Sequence, residues 1–304
     1  MQVIAGIDLG GTNIKGGLFT TAGELLGKKE ISTQAVAGPR AVVVRIADLV
    51  RELVTEFGQG RTLAGVGVGA PGLHDFAQGE CIFSPNLPGW RNVPVTTWLT
   101  ELLGVPVKLD NDANLATLGE FWQGAGQGAN NLLMLTLGTG VGGGLILNGQ
   151  LFRGPDGTAG ELGHMVIWLD GPACNCGNRG CLETLASATA LLRLGREAGL
   201  PVKEAREVMQ LAAAADPGAI EVVDRYISYL AVGVASLVNI FNPDLVLIGG
   251  GVVKAGEQLL APLREKVARL ALAVPAQRVK IKAAILGNDA GIYGAAALFG
   301  DEKR

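Results

Sequence analysis

The chain has 304 residues, 48% of them apolar and 17% charged, with a formal net charge of -3. That length is generous for one core and comfortable for two domains, and the slightly acidic balance gives no electrostatic case for nucleic acid or an anionic membrane. The N-terminal MQVIAGIDLGGT lacks the regions of a signal peptide and no run of 18 apolar residues occurs, so a soluble cytoplasmic protein is expected, in which clustered cysteines suggest metal rather than disulfides.

In chain order, VIAGIDLGGTNIKGGLFTTAGELL from Val3 reads as an apolar strand, a glycine turn, a glycine-rich strand and an AG turn into a third strand. Ile46, Leu49, Val50, Leu53, Val54 and Phe57 follow helical spacing, with Gly58 placed to stop the helix. LAGVGVGAPG is a buried strand, VPVKLDN a further strand, and DANLATLGEFWQG a helix ending at Gly124. From Leu132, LLMLTLGTGVGGGLILNGQLF repeats the order of the first segment, so the two read as one unit used twice. Helices are predicted near 183–199, 203–215 and 219–241, followed by the apolar strand DLVLIGGGVV, a helix, the strand RVKIKAAIL and a last helix around 292–299. The alternation predicts an α/β protein with mainly parallel sheets plus hairpins, in two lobes with an interlobe cleft. No linker marks a boundary, so the repeat sets it: a small lobe over 1–111 and a large lobe over 112–287.

Two segments match G-x-G-x-x-G, at Gly67, Gly69, Gly72 and at Gly138, Gly140, Gly143, but neither opens a helix after a strand, as a dinucleotide site requires. A P-loop is absent. The remaining reading is a pair of hairpin turns whose bare amides approach phosphates: Gly10, Gly11, Thr12 and Asn13 with Lys15 nearby, and Gly138, Thr139 and Gly140. A third turn, Gly249, Gly250 and Gly251, follows an apolar strand at the edge where α/β sheets bind ligands. Three such turns in this order point to a nucleotide, and Asp8 then suits an indirect hold on the Mg²⁺ that travels with ATP.

In KLDNDANLATLGE, the run Asp110, Asn111, Asp112 lies where a strand meets a helix. One cap needs one such group, so the capping role and that of a base for a hydroxyl nucleophile can fall to different members. Residues 161–183, ELGHMVIWLDGPACNCGNRGCLE, hold three of the four cysteines. His164, Cys174, Cys176 and Cys181 have the composition of a closed tetrahedral Zn²⁺ site, structural rather than hydrolytic because no position stays open for water. Such a knot pins Glu161 and Glu183 where carboxylates can accept hydrogen bonds from a polyol. Cys81 and His74 lie outside every motif and are assigned plain structural or surface roles.

Taken together, these motifs resemble those of sugar kinases of the repressor, open-reading-frame and kinase family, most closely its bacterial glucokinases, over essentially the whole chain. DLGGTNIK resembles the first phosphate motif, LGTGVGGG the second, LIGGGV the adenosine motif and LDNDAN the catalytic segment, while ELGH and CNCGNRGCLE resemble the sugar and zinc motifs. The resemblance implies the actin-like ATPase (ribonuclease H-like) duplicated fold, with a C-terminal helix, 288–304, packing back onto the first lobe. It implies ATP with Mg²⁺ and a structural Zn²⁺ as cofactors, and glucose or a related hexose as substrate. Asp112 becomes the general base for the 6-hydroxyl, and Asn111, Glu161, His164 and Glu183 contact the sugar with Gly72 of GAPG and Asn86 of SPNLPGW. N-acetylmannosamine, fructose or allose as acceptor, polyphosphate as donor, and a non-catalytic sugar sensor remain alternatives. The family's repressor branch carries an N-terminal DNA-binding domain, for which DLGGT at residue 8 leaves no room, so no nucleic-acid or membrane partner is expected. A homodimer or homotetramer is implied.

Overall fold

The computed structural model describes residues 1–300; residues 301–304 of the expected C-terminal segment lie outside the described residues. The elements, in chain order, are β1 (Gln2–Leu9), β2 (Asn13–Thr20), β3 (Leu25–Ser32), α1 (Pro39–Phe57), β4 (Thr62–Ala70), β5 (Leu73–Asp75), β6 (Glu80–Phe83), β7 (Arg91–Val93), α2 (Val95–Leu103), β8 (Val107–Asn111) and α3 (Asp112–Gln123). They continue with β9 (Leu132–Leu137), β10 (Val141–Leu147), β11 (Gln150–Leu151), α4 (Leu182–Ala186), α5 (Ala188–Glu197), α6 (Ala205–Ala213), α7 (Pro217–Phe241), β12 (Leu245–Gly249), α8 (Glu257–Leu270), α9 (Ala273–Arg278), β13 (Lys280–Ala283) and α10 (Ala290–Ala297).

The chain divides into two compact units, the first comprising Met1–Gln127, Leu151–Ala159 and the stretch from Asn288, the second Gly128–Gln150 and Gly160–Gly287. The sheet of the first unit has the order β3-β2-β1-β4-β8, and that of the second β11-β10-β9-β12-β13. The connectivity is the same: a central strand is antiparallel to the next strand in sequence and parallel to a later one, β1 with β2 and β4, β9 with β10 and β12. The duplication read from the two glycine-turn segments is therefore present in the strand order.

In the first unit, period-two alternation gives β1 two buried faces. Val3, Ala5, Ile7 and Leu9 pack with Val66 and Val68 of β4 and with Val42, Ile46, Leu49 and Leu53 of α1. On the other face, Ile4 packs with Phe19, Trp122, Ile292 and Ala296. This second face is where α10 sits, and the approach is close because side chains are missing. Gly6 and Gly67, opposite each other in the β1–β4 ladder, have no room for a Cβ beneath the Ile292 and Ala295 carbonyls, and Gly294 has none against Leu115 of α3. The glycines that produced the false dinucleotide match thus have separate causes: Gly67 admits α10, a Cβ on Gly69 would stand 3.0 Å from the Leu115 side chain, and Gly72 has φ +114.

The expected break at residue 111 is displaced, because α3 packs on α10 and so belongs to the first unit, the chain crossing to the second unit after Gln127. A single helix over 183–199 is interrupted at Ser187, whose hydroxyl caps α5 by accepting the Ala190 amide at 3.0 Å. The strand DLVLIGGGVV stops at Gly249, because Gly250 turns the chain with φ 85. The small antiparallel sheet β5-β6-β7, α2 and α9 have no counterpart in the expected elements. Strands of three or four residues are too short to show a period of two, and VTTW opens α2 with β-branched residues. Among the described residues, no helix is long and apolar enough to cross a membrane.

Candidate active site

In the first unit the carboxyl ends of β1, β4 and β8 carry the candidate residues, the place where open α/β sheets bind ligands. The three polar residues at the end of β8 divide the work. Asn111 is the cap of α3: its Oδ1 accepts the Ala113 amide at 2.9 Å and the Asn114 amide at 3.2 Å. Asp110, fully buried, accepts from the Asn111 amide at 2.8 Å and Asn114 Nδ2 at 3.1 Å, and pairs with Arg153 Nε at 2.7 Å. Asp112 is left as the first residue of α3, its Oδ1 accepting the Ala113 amide at 2.9 Å, with no side-chain hydrogen-bond partner among the described residues. Burial pushes its carboxyl above the usual carboxylate range, opposed by that amide.

Asp8, at the end of β1, is raised to about 6 by burial first and by repulsion from Asp112 next, Lys15 working the other way. Two facing acids with one lysine beside them fit a site that receives a cation. The turn after Asp8 is tight, the Gly10 amide donating to the Asn13 carbonyl at 2.9 Å, and Thr33 braces it by donating to the Gly10 carbonyl at 2.7 Å. A Cβ on Gly11 would meet the Asn86 carbonyl at 3.0 Å, so Asn86 stands beside this turn. Gly72 lies next to the Asp110–Asn111–Asp112 run, its carbonyl accepting Asn111 Nδ2 at 3.3 Å. Asn13 and Lys15 are otherwise engaged: Asn13 Nδ2 donates to Glu30 at 2.6 Å, and Lys15 Nζ donates to the Asn288 carbonyl at 3.1 Å.

The second unit repeats this edge with glycine. The Gly138 amide donates to the Gly140 carbonyl at 3.0 Å, closing the turn between β9 and β10. The third turn follows the neighbouring strand β12, with Gly250 packed directly on the Leu137 backbone and Gly251 opening a short 3₁₀ turn. Two of the expected phosphate and nucleotide turns, Gly138–Thr139–Gly140 and Gly249–Gly250–Gly251, therefore lie side by side.

His164, Cys174, Cys176 and Cys181 converge, with all four ligand atoms within 4.8 Å of one another. His164 Nδ1 lies 3.6 Å from Cys174 Sγ, and Cys176 Sγ 3.6 Å from Cys181 Sγ, close to the ~3.8 Å that separates thiolates on a tetrahedral Zn²⁺. Burial, with the neighbouring thiols, pushes Cys181 up to about 12, whereas backbone hydrogen bonding at Asn178 draws Cys176 down to about 7. Three thiols this close cannot all ionise unless a cation sits among them, so the donor set fits zinc. The chain folds around the cluster with little regular structure: Val166 bridges Cys181, Ala173 bridges Arg179, and the Cys174 amide donates to the Asn178 carbonyl at 2.8 Å.

Both glutamates are tied to the knot. Glu161 Oε2 lies 3.8 Å from His164 Nε2, the ring nitrogen that faces away from the thiols. Glu183 opens α4 directly after Cys181, and its Oε2 accepts the Val141 amide at 3.0 Å, just past the Gly138–Gly140 turn. A carboxylate beside the His/Cys cluster thus braces a glycine turn, a link the spacing of the two motifs did not reveal. The Arg153 contact to Asp110 was missed as well, since 43 residues separate them and no motif contains Arg153. His74, read as bland, is 1% exposed and lies near Asp110 and Asp112.

Three findings place the chain among known proteins. It is 43% identical to the glucokinase of Thermotoga maritima over 97% of this chain and 96% of that one. It is 42% identical to the glucokinase of Halalkalibacterium halodurans, over 95% and 92%. The crystal structure of a ROK family glucokinase from Streptomyces griseus in complex with glucose and AMPPNP superposes with a TM-score of 0.79 at 32% identity, covering 97% and 98% of the two chains. The duplicated sheets are those of the actin-like ATPase fold. With the ROK family model matching residues 4–302 as well, the chain belongs to the ROK family.

Proposed function

We propose that the chain transfers the γ-phosphoryl group of ATP to O6 of D-glucose. The observation that carries the reading is the division of labour at the end of β8. Asn111 caps the helix and Asp110 is neutralised by Arg153, so among the three Asp112 alone keeps a carboxylate with no side-chain partner at the head of α3. The relatives that support glucose as acceptor are glucokinases at 42 and 43% identity.

In the reaction the 6-hydroxyl oxygen attacks the γ-phosphorus, the bond to the ADP oxygen breaks, and Asp112 takes the hydroxyl proton. A carboxyl lifted by burial is a better proton acceptor than an exposed one, which suits that task. Gly72, Asn86, Asn111, Glu161, His164 and Glu183 are assigned to the sugar. Asp8, Gly10, Gly11, Thr12, Asn13, Lys15, Gly138, Thr139, Gly140, Gly249, Gly250 and Gly251 are assigned to the nucleotide. Mg²⁺ supplies charge neutralisation on the phosphates, with Asp8 placed to hold it through water. Zn²⁺ on His164, Cys174, Cys176 and Cys181 is structural and fixes Glu161 and Glu183. A homodimer or homotetramer is the assembly proposed from the family resemblance.

The test is ADP release with ATP, Mg²⁺ and a panel of hexoses, with Asp112→Asn beside the wild type. Glucose should give the highest kcat/KM, and Asp112→Asn should lose at least about 10²-fold in kcat, the scale of a lost general base, while still binding glucose. Wild-type turnover in that variant removes Asp112 from the mechanism. A different leading hexose changes the acceptor and leaves the mechanism in place.

A further inference from the structure

The sharpest unexplained group in the first unit is His74 on β5. It is 1% exposed, and its Nε2 lies 2.8 Å from the Ala70 carbonyl. A carbonyl can only accept, so the hydrogen is on Nε2 and Nδ1 carries a bare lone pair. That Nδ1 is buried and has no hydrogen-bond partner among the described residues. The buried side-chain polar atoms in this condition, His74 Nδ1, Ser84 Oγ and Trp90 Nε1, fall within residues 74–90, around the small β5-β6-β7 sheet. Buried polar atoms without partners are uncommon and concentrate where a structure serves something other than its own stability.

The carbonyl that His74 holds is in a telling place. Ala70 ends β4 and stands opposite Asn111, the last pair of the β4–β8 ladder. Beyond Ala70 the chain turns at Gly72, whose carbonyl receives Asn111 Nδ2 at 3.3 Å. The turn 70–72 is therefore fastened twice, by His74 at Ala70 and by Asn111 at Gly72, and Asn111 is also the cap that sets the first turn of α3. No ladder hydrogen bond continues past this point to do the same job, because β4 and β8 both end here.

We propose that His74 is a positioning residue for phosphoryl transfer: its Nε2–H locks the Ala70–Gly72 turn against Asn111 and so fixes the direction in which Asp112 presents its carboxylate. The proposal rests on the reading of Asp112 as the base. Burial holds the imidazole below its usual range, which keeps the ring neutral, and a neutral ring leaves the net charge beside Asp110, Arg153 and Asp112 unchanged. The role is thus geometric, and it differs from a general structural one in which parameters it moves. Gly72 and Asn111 are assigned to the sugar, so loosening the turn should lower kcat and raise KM for glucose while KM for ATP stays put.

The test compares His74→Gln, His74→Asn and His74→Leu with the wild type and with Asp112→Asn. A glutamine amide nitrogen reaches where Nε2 lies, whereas an asparagine amide is one methylene short. Misplacement of a reacting group by about 1 Å costs about 10²-fold. Expected results are a fall in kcat/KM for glucose of about tenfold to 10²-fold in His74→Asn and His74→Leu, recovery in His74→Gln, and KM for ATP within about twofold of wild type throughout. Melting temperatures are read alongside, and if His74→Leu does not fold, the Gln and Asn pair decides. Equal activity in Gln and Asn variants overturns the proposal, as does a parallel shift of both KM values. An inactive Asp112→Asn beside normal His74 variants defeats the positioning role alone, whereas an active Asp112→Asn defeats the base assignment on which it rests.

Discussion

Replacing Gly294 by alanine tests the packing that places Asp112. A methyl group there would overlap the Leu115 carbonyl outright and stand 2.8 Å from Leu115 Cα, so α10 must retreat from α3 by on the order of 1 Å, in an interior packed as densely as an organic crystal. The retreat cannot be absorbed locally, because a Cβ on Gly119 of α3 would in turn stand 2.8 Å from the Gly294 amide nitrogen and overlap the Ala290 carbonyl. Overpacking of this kind costs about 1–3 kcal/mol and sometimes more; with backbone as the obstacle on both helices, the upper end, about 3 kcal/mol, is expected. For a unit of this size that lowers the melting temperature by roughly 6–12 °C. Because Leu115 is three residues beyond Asp112 on the same helix, kcat should fall together with stability. The assays are thermal unfolding and steady-state ADP release. A Gly294→Ala protein that melts within about 2 °C of wild type and turns over normally refutes the claim that these glycines exist for close approach.

The same substitution at Gly218, in the first turn of α7, should act in the opposite sense: its Cβ would meet only ordinary contacts at 3.4 Å, so urea unfolding should show a gain of about 0.4–1 kcal/mol from reduced unfolded-state entropy. Stripping zinc with a strong chelator, or Cys181→Ser, should lower the melting temperature and remove activity together; stripped protein with full stability and full activity speaks against a structural ion. Asp8→Asn should stabilise the nucleotide-free, Mg²⁺-free protein in a pH-dependent way. The folded carboxyl at about 6 lies above its ordinary 3.8, so wild-type stability is lost as pH rises between those values, and the variant escapes a penalty of at most about 3 kcal/mol above pH 7. Unfolding curves at pH 4 and pH 8 with the same wild-type-to-variant difference would contradict that sign.

What the sequence showed best was whatever repeats or clusters. The two glycine-turn segments predicted the duplicated sheets because a strand, a turn and a strand are encoded within some twenty residues. The convergence of His164, Cys174, Cys176 and Cys181 was legible because thiolate chemistry needs those residue types near one another. Asp110, Asn111 and Asp112 could be seen as too many for one cap, though only the structure assigns the cap to Asn111 and the ion pair to Asp110. Long-range partners were not legible. Arg153 meets Asp110, and Gly67 meets the Ala295 carbonyl, through folding alone, and no local pattern announces either. His74 was passed over for a related reason: an isolated histidine has no signature until its surroundings are known.

The nesting of α10 on the first unit also bears on how the protein is made. The faces of β1, β4 and α3 that receive this helix leave the ribosome with residues 1–127, and about 160 more residues must be added before the stretch from Asn288 arrives. At ~5–20 residues per second, those glycine-lined faces wait roughly 8–30 s without their cover. Throughout that interval the carboxylate at the head of α3 has no finished scaffold behind it. The packing behind α3 is therefore closed only once the chain has been made past residue 297.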